Sequence, residues 1–218
     1  MAQQPADSET LSAVQQTIPL TGCYVATSRM DLLENQLEQA LDAGLTVSEL
    51  KEILIQLYAY CGFPRSLNAL GRLMKVTESR KQRGIQDSEG ADPMAPVPVG
   101  EELQQLGFKN QSIIAGGPVA GALFDFAPVI NQFLQTHLFG NIFARDNLDW
   151  QSRELATVGA LAATEGAEAQ LLAHTLASLR VGLSKQQLQH LVEILRPCDD
   201  NAASRAEAAL QQAIATYS

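Results

Sequence analysis

Cysteine and histidine are scarce in this 218-residue sequence, with three of each. Cys23, Cys61 and Cys198 lie far apart, without a CxxC pair and without a Cys/His spacing that suits zinc. A disulfide scaffold and a structural metal site are therefore excluded as the basis of folding, and no metal or organic cofactor is expected. Basic residues are also few, 15 Lys and Arg against 24 Asp and Glu, for a net charge of −9. The only basic cluster is Arg-Lys-Gln-Arg-Gly at 80–84, so neither nucleic acid nor an anionic membrane is an expected partner. No segment offers the eighteen uninterrupted apolar residues of a membrane helix. The start, MAQQPADSET, has no basic stretch followed by an apolar one, and a cytoplasmic chain is expected. A trimmed leader would leave a similar start, so a periplasmic location stays open.

What the sequence does contain is an ordinary globular composition, 46% hydrophobic and 18% charged. A chain of this length should bury roughly 70% of its unfolded surface without a covalent staple. Self-comparison is more informative than any single motif. The stretch from Leu11 to about Leu54 recurs from Leu148 to Leu195 in the same order of elements. The offset is 137 at the start (148 − 11) and 138 at the paired glycines Gly44 and Gly182 (182 − 44). In both copies a helix ends at that glycine, where a C-cap residue of positive φ is wanted. A capping box then opens the next helix, Thr46-Val-Ser-Glu49 in one copy and Ser184-Lys-Gln-Gln187 in the other. Leu50, Ile53, Leu54 and Leu57 fall at i, i+3, i+4 and i+7, as do Leu188, Leu191, Val192 and Leu195, giving each copy an apolar stripe. Few stretches alternate as strands do. The predicted fold is all-α, two tandem helical repeats at 1–83 and 101–218 joined by a Pro/Gly-rich linker at 84–100.

Two short motifs invite a chemical reading. The run IIAGGPVAGALFDF at 113–126 lacks the Gly-Lys-Ser/Thr of a phosphate loop and reads as a bend, with a helix starting near Pro128. The turn Tyr58-Ala-Tyr60-Cys61-Gly62-Phe63-Pro64 ends a long apolar run. Its cysteine sits at a helix C-terminus, where the dipole disfavours a thiolate and favours a small buried residue.

The phrases LDAGLTVSELKEILIQLYAYCGFPRSLNAL, THLFGNIFARDNLDWQSRELATVGALAA and LLAHTLASLRVGLS resemble the carboxymuconolactone decarboxylase family, in the alkylhydroperoxidase D-like superfamily of all-helical proteins. The resemblance covers about 11–75 and 128–196. Peroxide-reducing relatives carry a CxxC ahead of a helix histidine; here those positions are Ala167 and Gln170, and Met30 and Leu33 in the first copy. The family's glutamate and helix histidine correspond to Glu154 and His174, whereas the first copy has Thr17 and Gln36. Decarboxylases of the family tend to place an arginine three residues after the histidine, and this chain has Ala177.

The resemblance implies a lyase or isomerase acting on a small organic acid or lactone. His174, oriented by Glu154, would transfer a proton near neutrality, and Cys61 completes the candidate catalytic set. Tyr60, Phe63, His137, Trp150 and Arg153 are candidate substrate-binding residues, with Arg145 a further cation. Asp149 is a candidate N-cap, and His190, at the place of Glu52 in the first copy, is expected on an exposed polar face. A second reading is a non-catalytic oligomeric scaffold or binding protein, and a third is peroxidase-like activity through Cys61. Because relatives assemble as rings of single-copy subunits, a two-copy chain is expected to form a homotrimer resembling a hexamer.

Overall fold

The computed structural model describes residues 10–217, and the start of the chain read above for a leader lies outside them. Among the described residues there are helices and no strands. In chain order they are α1 (Ala13–Ala26), α2 (Met30–Asp42), α3 (Val47–Gln56), α4 (Tyr58–Cys61) and α5 (Phe63–Gln82). After the linker come α6 (Glu101–Ala115), α7 (Ala122–Phe126), α8 (Pro128–Phe133) and a π-helical run, Leu134–Ile142. The chain closes with α9 (Trp150–Ala162), α10 (Glu168–Arg180), α11 (Lys185–Leu195) and α12 (Asp200–Thr216). No described helix is long and apolar enough to cross a membrane.

Local chemistry sets most boundaries. Thr46 and Ser184 cap α3 and α11 with complete capping boxes, and Asp149 accepts from the Ser152 amide at the start of α9. Ser12 caps α1 in the same way through Gln15. Gly44 and Gly182 adopt φ of 108° and 102° after α2 and α10, a backbone that a side chain would strain. His190 departs from expectation: it is half-buried, and its Nδ1 accepts the Leu11 amide at 3.1 Å, satisfying a donor just before α1.

The principal core draws on both halves, from Leu11, Ile18 and Val25 through Leu50 and Leu54 to Leu155, Leu191 and Leu210. Its centre is the crossing of α1 with α9. A Cβ built on Gly22 would lie 3.0 Å from the Ala160 nitrogen and closer still to the Ala156 carbonyl oxygen. One built on Gly159 would lie 2.8 Å from Pro19 Cα and closer to its carbonyl oxygen. The two backbones therefore touch with no side chain between them. Gly22 and Gly159 are 137 residues apart (159 − 22), as are Pro19 and Ala156 (156 − 19).

The linker has no helix between residues 85 and 100, yet it is bound along its length. Arg80, buried at the end of α5, donates to Asp87 and Asp42. The free amides at the start of α3, Val47 and Ser48, donate to the carbonyls of Ser88 and Glu89, and the Ser48 hydroxyl donates to Ala91. Asp146 then accepts from the amides of Met94 and Ala95, crossing to the second half.

Candidate functional site

A second apolar cluster sits beside the main core, built from Ile114, Leu138, Phe139, Ile142, Phe143 and Ala177, with Tyr58, Tyr60 and Trp150 packed on it. The π-helical run forms one wall. Its wide turns, seen in the Phe143 amide bonding to the Leu138 carbonyl five residues back, let Gly140 press against Leu103 of α6. The opposite side of that run leaves His137 exposed.

The chemistry gathers where α9 and α10 meet this cluster. Glu154, central in α9, has no exposed surface, and the side chain of His174 on α10 is 14% exposed. His174 Nδ1 lies 2.7 Å from Glu154 Oε2. With Glu154 ionised, its carboxylate can only accept, which would place the proton on Nδ1 and leave Nε2 as the available base. Glu154 Oε1 is buried and has no hydrogen-bond partner. At the corresponding places in the first half, Gln36 donates to the Thr17 carbonyl at 2.9 Å, a neutral contact with no proton to move.

Tyr60 comes from the first half and meets His174 edge-on, with ring centroids 5.2 Å apart. Its hydroxyl is buried and lies near the Thr157 side chain, outside strict hydrogen-bonding geometry. Burial pushes this phenol upward and the Glu154 charge adds to the effect, while Thr157 opposes it in part, so the phenol stays protonated. Tyr58 stacks on Phe63 at 4.2 Å and tilts against His137 at 5.4 Å. Of the candidate binding residues, Tyr60 lies against His174, while Phe63 and His137 pack around Tyr58, whose hydroxyl is buried and unpartnered.

Cys61 is part of the main apolar core. Burial raises its thiol to about 11, with Arg65 pulling slightly the other way, so it is a thiol near neutral pH and its neighbour Tyr60 is the residue that meets the imidazole. Trp150 donates its indole N–H to the Phe143 carbonyl at 2.9 Å and borders a cavity of about 790 Å³ with Arg145, Asn147 and Asn110. That cavity is not lined by His174.

Arg153, a candidate substrate-binding residue, and Arg145, the further cation, are both partners of a buried acid. Glu52 on α3 is 2% exposed and receives Arg145 Nε at 2.8 Å, Arg145 Nη2 at 2.6 Å and Arg153 Nη2 at 3.4 Å. Arg153, with no exposed surface, also donates to Gln56 Oε1 at 3.2 Å and to the Arg145 carbonyl at 3.0 Å. Burial alone would raise the Glu52 carboxyl, but the two arginines and Asn147 outweigh it and hold it below the ordinary range. Sequence reasoning missed Glu52, Gln56 and Tyr58. The available signal was Glu52 and Gln56, four residues apart and so on one face of the helix over Leu50 to Leu57.

Among the described residues, no three His, Cys, Asp or Glu side chains are grouped as a metal would require. Fold and site together define an all-α protein with a carboxylate-oriented histidine between two helices. Residues 128–214, which hold both Glu154 and His174, match the model of the carboxymuconolactone decarboxylase family. No curated protein matches the sequence.

Proposed function

We propose that the protein is a cofactor-independent lyase or isomerase that moves a proton on a small organic acid or lactone. His174 Nε2 acts as the base, and Glu154 fixes the tautomer and stabilises the imidazolium formed. The observation that carries this reading is the 2.7 Å contact between a fully buried carboxylate and a partly accessible imidazole. A purely structural pair would have no need to leave the second carboxylate oxygen and an adjacent phenol unpartnered. The test is incorporation of deuterium from D2O into a panel of small lactones and organic acids, followed by NMR. Wild type should exchange at least one of them, and His174→Asn should fall to the background rate. Exchange that survives in His174→Asn refutes the reading.

The chain is further proposed to consist of two related helical halves. Support comes from the reciprocal Gly22 and Gly159 crossing at the repeat offset and from matching caps at Ser12/Asp149 and Thr46/Ser184. A homo-oligomer, a trimer in the simplest case, is supported by large apolar side chains left exposed: Phe63, Leu67 and Met74 on α5, and Leu123, Phe126 and Phe133 on α7 and α8. Light scattering after size exclusion tests it, and a monomer at micromolar concentration refutes it. The scaffold reading is favoured by one observation, that Tyr60 packs directly on the imidazole; it predicts an intact oligomer with no proton exchange on any of the panel.

A further inference from the structure

We propose that the cavity bordered by Trp150 binds a small organic cation, a primary ammonium on an apolar body, independently of His174. The cavity, about 790 Å³ in volume, has the size of a small-ligand site. Its walls come from the linker at Ala95 and Pro96, from α6 at Leu106 and Asn110, from the run 143–150, and from Glu49 at the start of α3. Most of these are held in place. Asp146 fixes the linker wall through the amides of Met94 and Ala95, and Asn110 donates to the Phe139 carbonyl at 2.9 Å. The Trp150 indole N–H is used on the Phe143 carbonyl, so this residue brings a ring to the cavity and no free donor.

The surrounding charge selects the sign of the ligand. Among the described residues that line the cavity, Glu49, Asp146 and Asp149 are acidic and Arg145 is the one cation. Arg145 is paired with Glu52 at 2.6 and 2.8 Å, and Glu52 also holds Arg153. Asp92 adds a further negative charge near Arg145. Five carboxylates therefore stand against two guanidiniums. The starts of α3 and α9 contribute about half a positive charge each, and the balance stays negative. The hydrogen bonds to the three lining carboxylates come from neutral donors, backbone amides and the Thr46 hydroxyl, so their charge is not cancelled. Among the described residues no three such side chains are grouped to hold a metal, and carboxylates spread in this way suit a cation larger than a metal ion.

A second observation points to a donor on the ligand. Asn147 lines the cavity, and its Nδ2 donates to Ser48 Oγ at 3.1 Å, whereas Oδ1 is buried with no hydrogen-bond partner. A buried acceptor without a donor is costly, and an ammonium N–H supplies what it lacks. Arg153 Nε is also unpartnered, but Arg153 has no exposed surface and does not line the cavity. The rings of Trp150 and Phe143, with Leu106 and Leu148, give an apolar body its contact, and a cation over the indole gains further.

Trp150 is the only tryptophan in the chain, so its fluorescence in the full chain reports occupancy of this cavity. Three probes of similar shape separate charge from size: 2-phenylethylamine, 2-phenylethanol and 3-phenylpropanoate. At low ionic strength the amine should change the fluorescence saturably at millimolar concentration or below, and bind roughly fivefold more tightly than the alcohol. The acid should give no saturable change. Added salt should weaken the amine and leave the alcohol unchanged. Asp149→Asn and Glu49→Gln remove charge while an Asn cap and a Gln in the capping box preserve both helix starts. The double variant should melt within a few degrees of wild type and, by ligand-observed NMR, bind the amine roughly threefold more weakly. His174→Asn should bind the amine as wild type does. No saturable amine signal, equal or tighter binding of the alcohol or the acid, or amine binding indifferent to salt and to the double variant overturns the inference. Amine binding that is lost in His174→Asn would place the cation at the other site and overturn it too.

Discussion

Replacing Gly159 by alanine probes the α1–α9 crossing directly. The added methyl would sit 2.8 Å from Pro19 Cα and carbonyl carbon, whereas carbon atoms prefer roughly 3.5–4.0 Å. The helices must part by roughly 0.7 Å or more, because the obstacle is backbone and no side-chain rotamer can relieve it. Overpacking of this kind costs about 1–3 kcal/mol, and a backbone obstacle belongs at the upper end. For a chain of this size 1 kcal/mol lowers the midpoint by about 2–4 °C, so a fall of roughly 6–12 °C is expected. Gly71→Ala is the control. Gly71 lies inside α5 with nothing within 4 Å of the added carbon, and alanine there should stabilise by about 0.5–1 kcal/mol. Circular dichroism melts of both variants at one protein concentration make the measurement. A Gly159→Ala midpoint within 1 °C of wild type would show that the two helices do not meet backbone to backbone.

Three other outcomes follow from the site. Glu154→Gln keeps the size of the side chain and can still bond to His174, so it should melt within a few degrees of wild type while any proton exchange drops about 10²–10⁴-fold; undiminished exchange would remove Glu154 from the mechanism. Glu52 is held below its ordinary carboxylate range, so its stabilising share is present above the unfolded-state value and is lost as pH falls through the lower folded-state one. Glu52→Gln should therefore cost about 3–5 kcal/mol at neutral pH and flatten the acid side of the stability profile, and equal acid sensitivity in denaturant titrations at several pH values would contradict this. Cys61, raised to about 11, should react with a thiol reagent at pH 7.5 only as fast as the chain opens, and Cys61→Ala should leave exchange intact; rapid labelling of the native chain would reinstate a reactive thiol.

What could be read in advance was local. Capping at Thr46 and Ser184 and the positive-φ glycines Gly44 and Gly182 depend on spacing within one or two elements, whereas the pairing of Glu154 with His174 was implied by the family resemblance. The Glu52 cluster depends on α3 meeting α9 and the loop before it, 93 and 101 residues away in sequence, and nothing in the spacing of Arg145 or Arg153 distinguishes a buried partner from a solvated cation. Likewise Cys61 drew notice for its chemistry, while the contact with His174 fell to Tyr60, one residue earlier, because successive positions of the short α4 point to different sides. The π-helical geometry of Leu134–Ile142 goes with a close approach of Gly140 to Leu103, a long-range contact that no residue pattern announces.

The bonds along residues 87–95 bear on how a small molecule could reach His174. A tether fastened at Arg80, at the front of α3 and at Asp146 gives the halves no slack to swing apart as lobes. The His174 side chain is already 14% exposed, so a small molecule approaching it would meet side chains that rotate on picosecond to nanosecond timescales, not an opening between lobes.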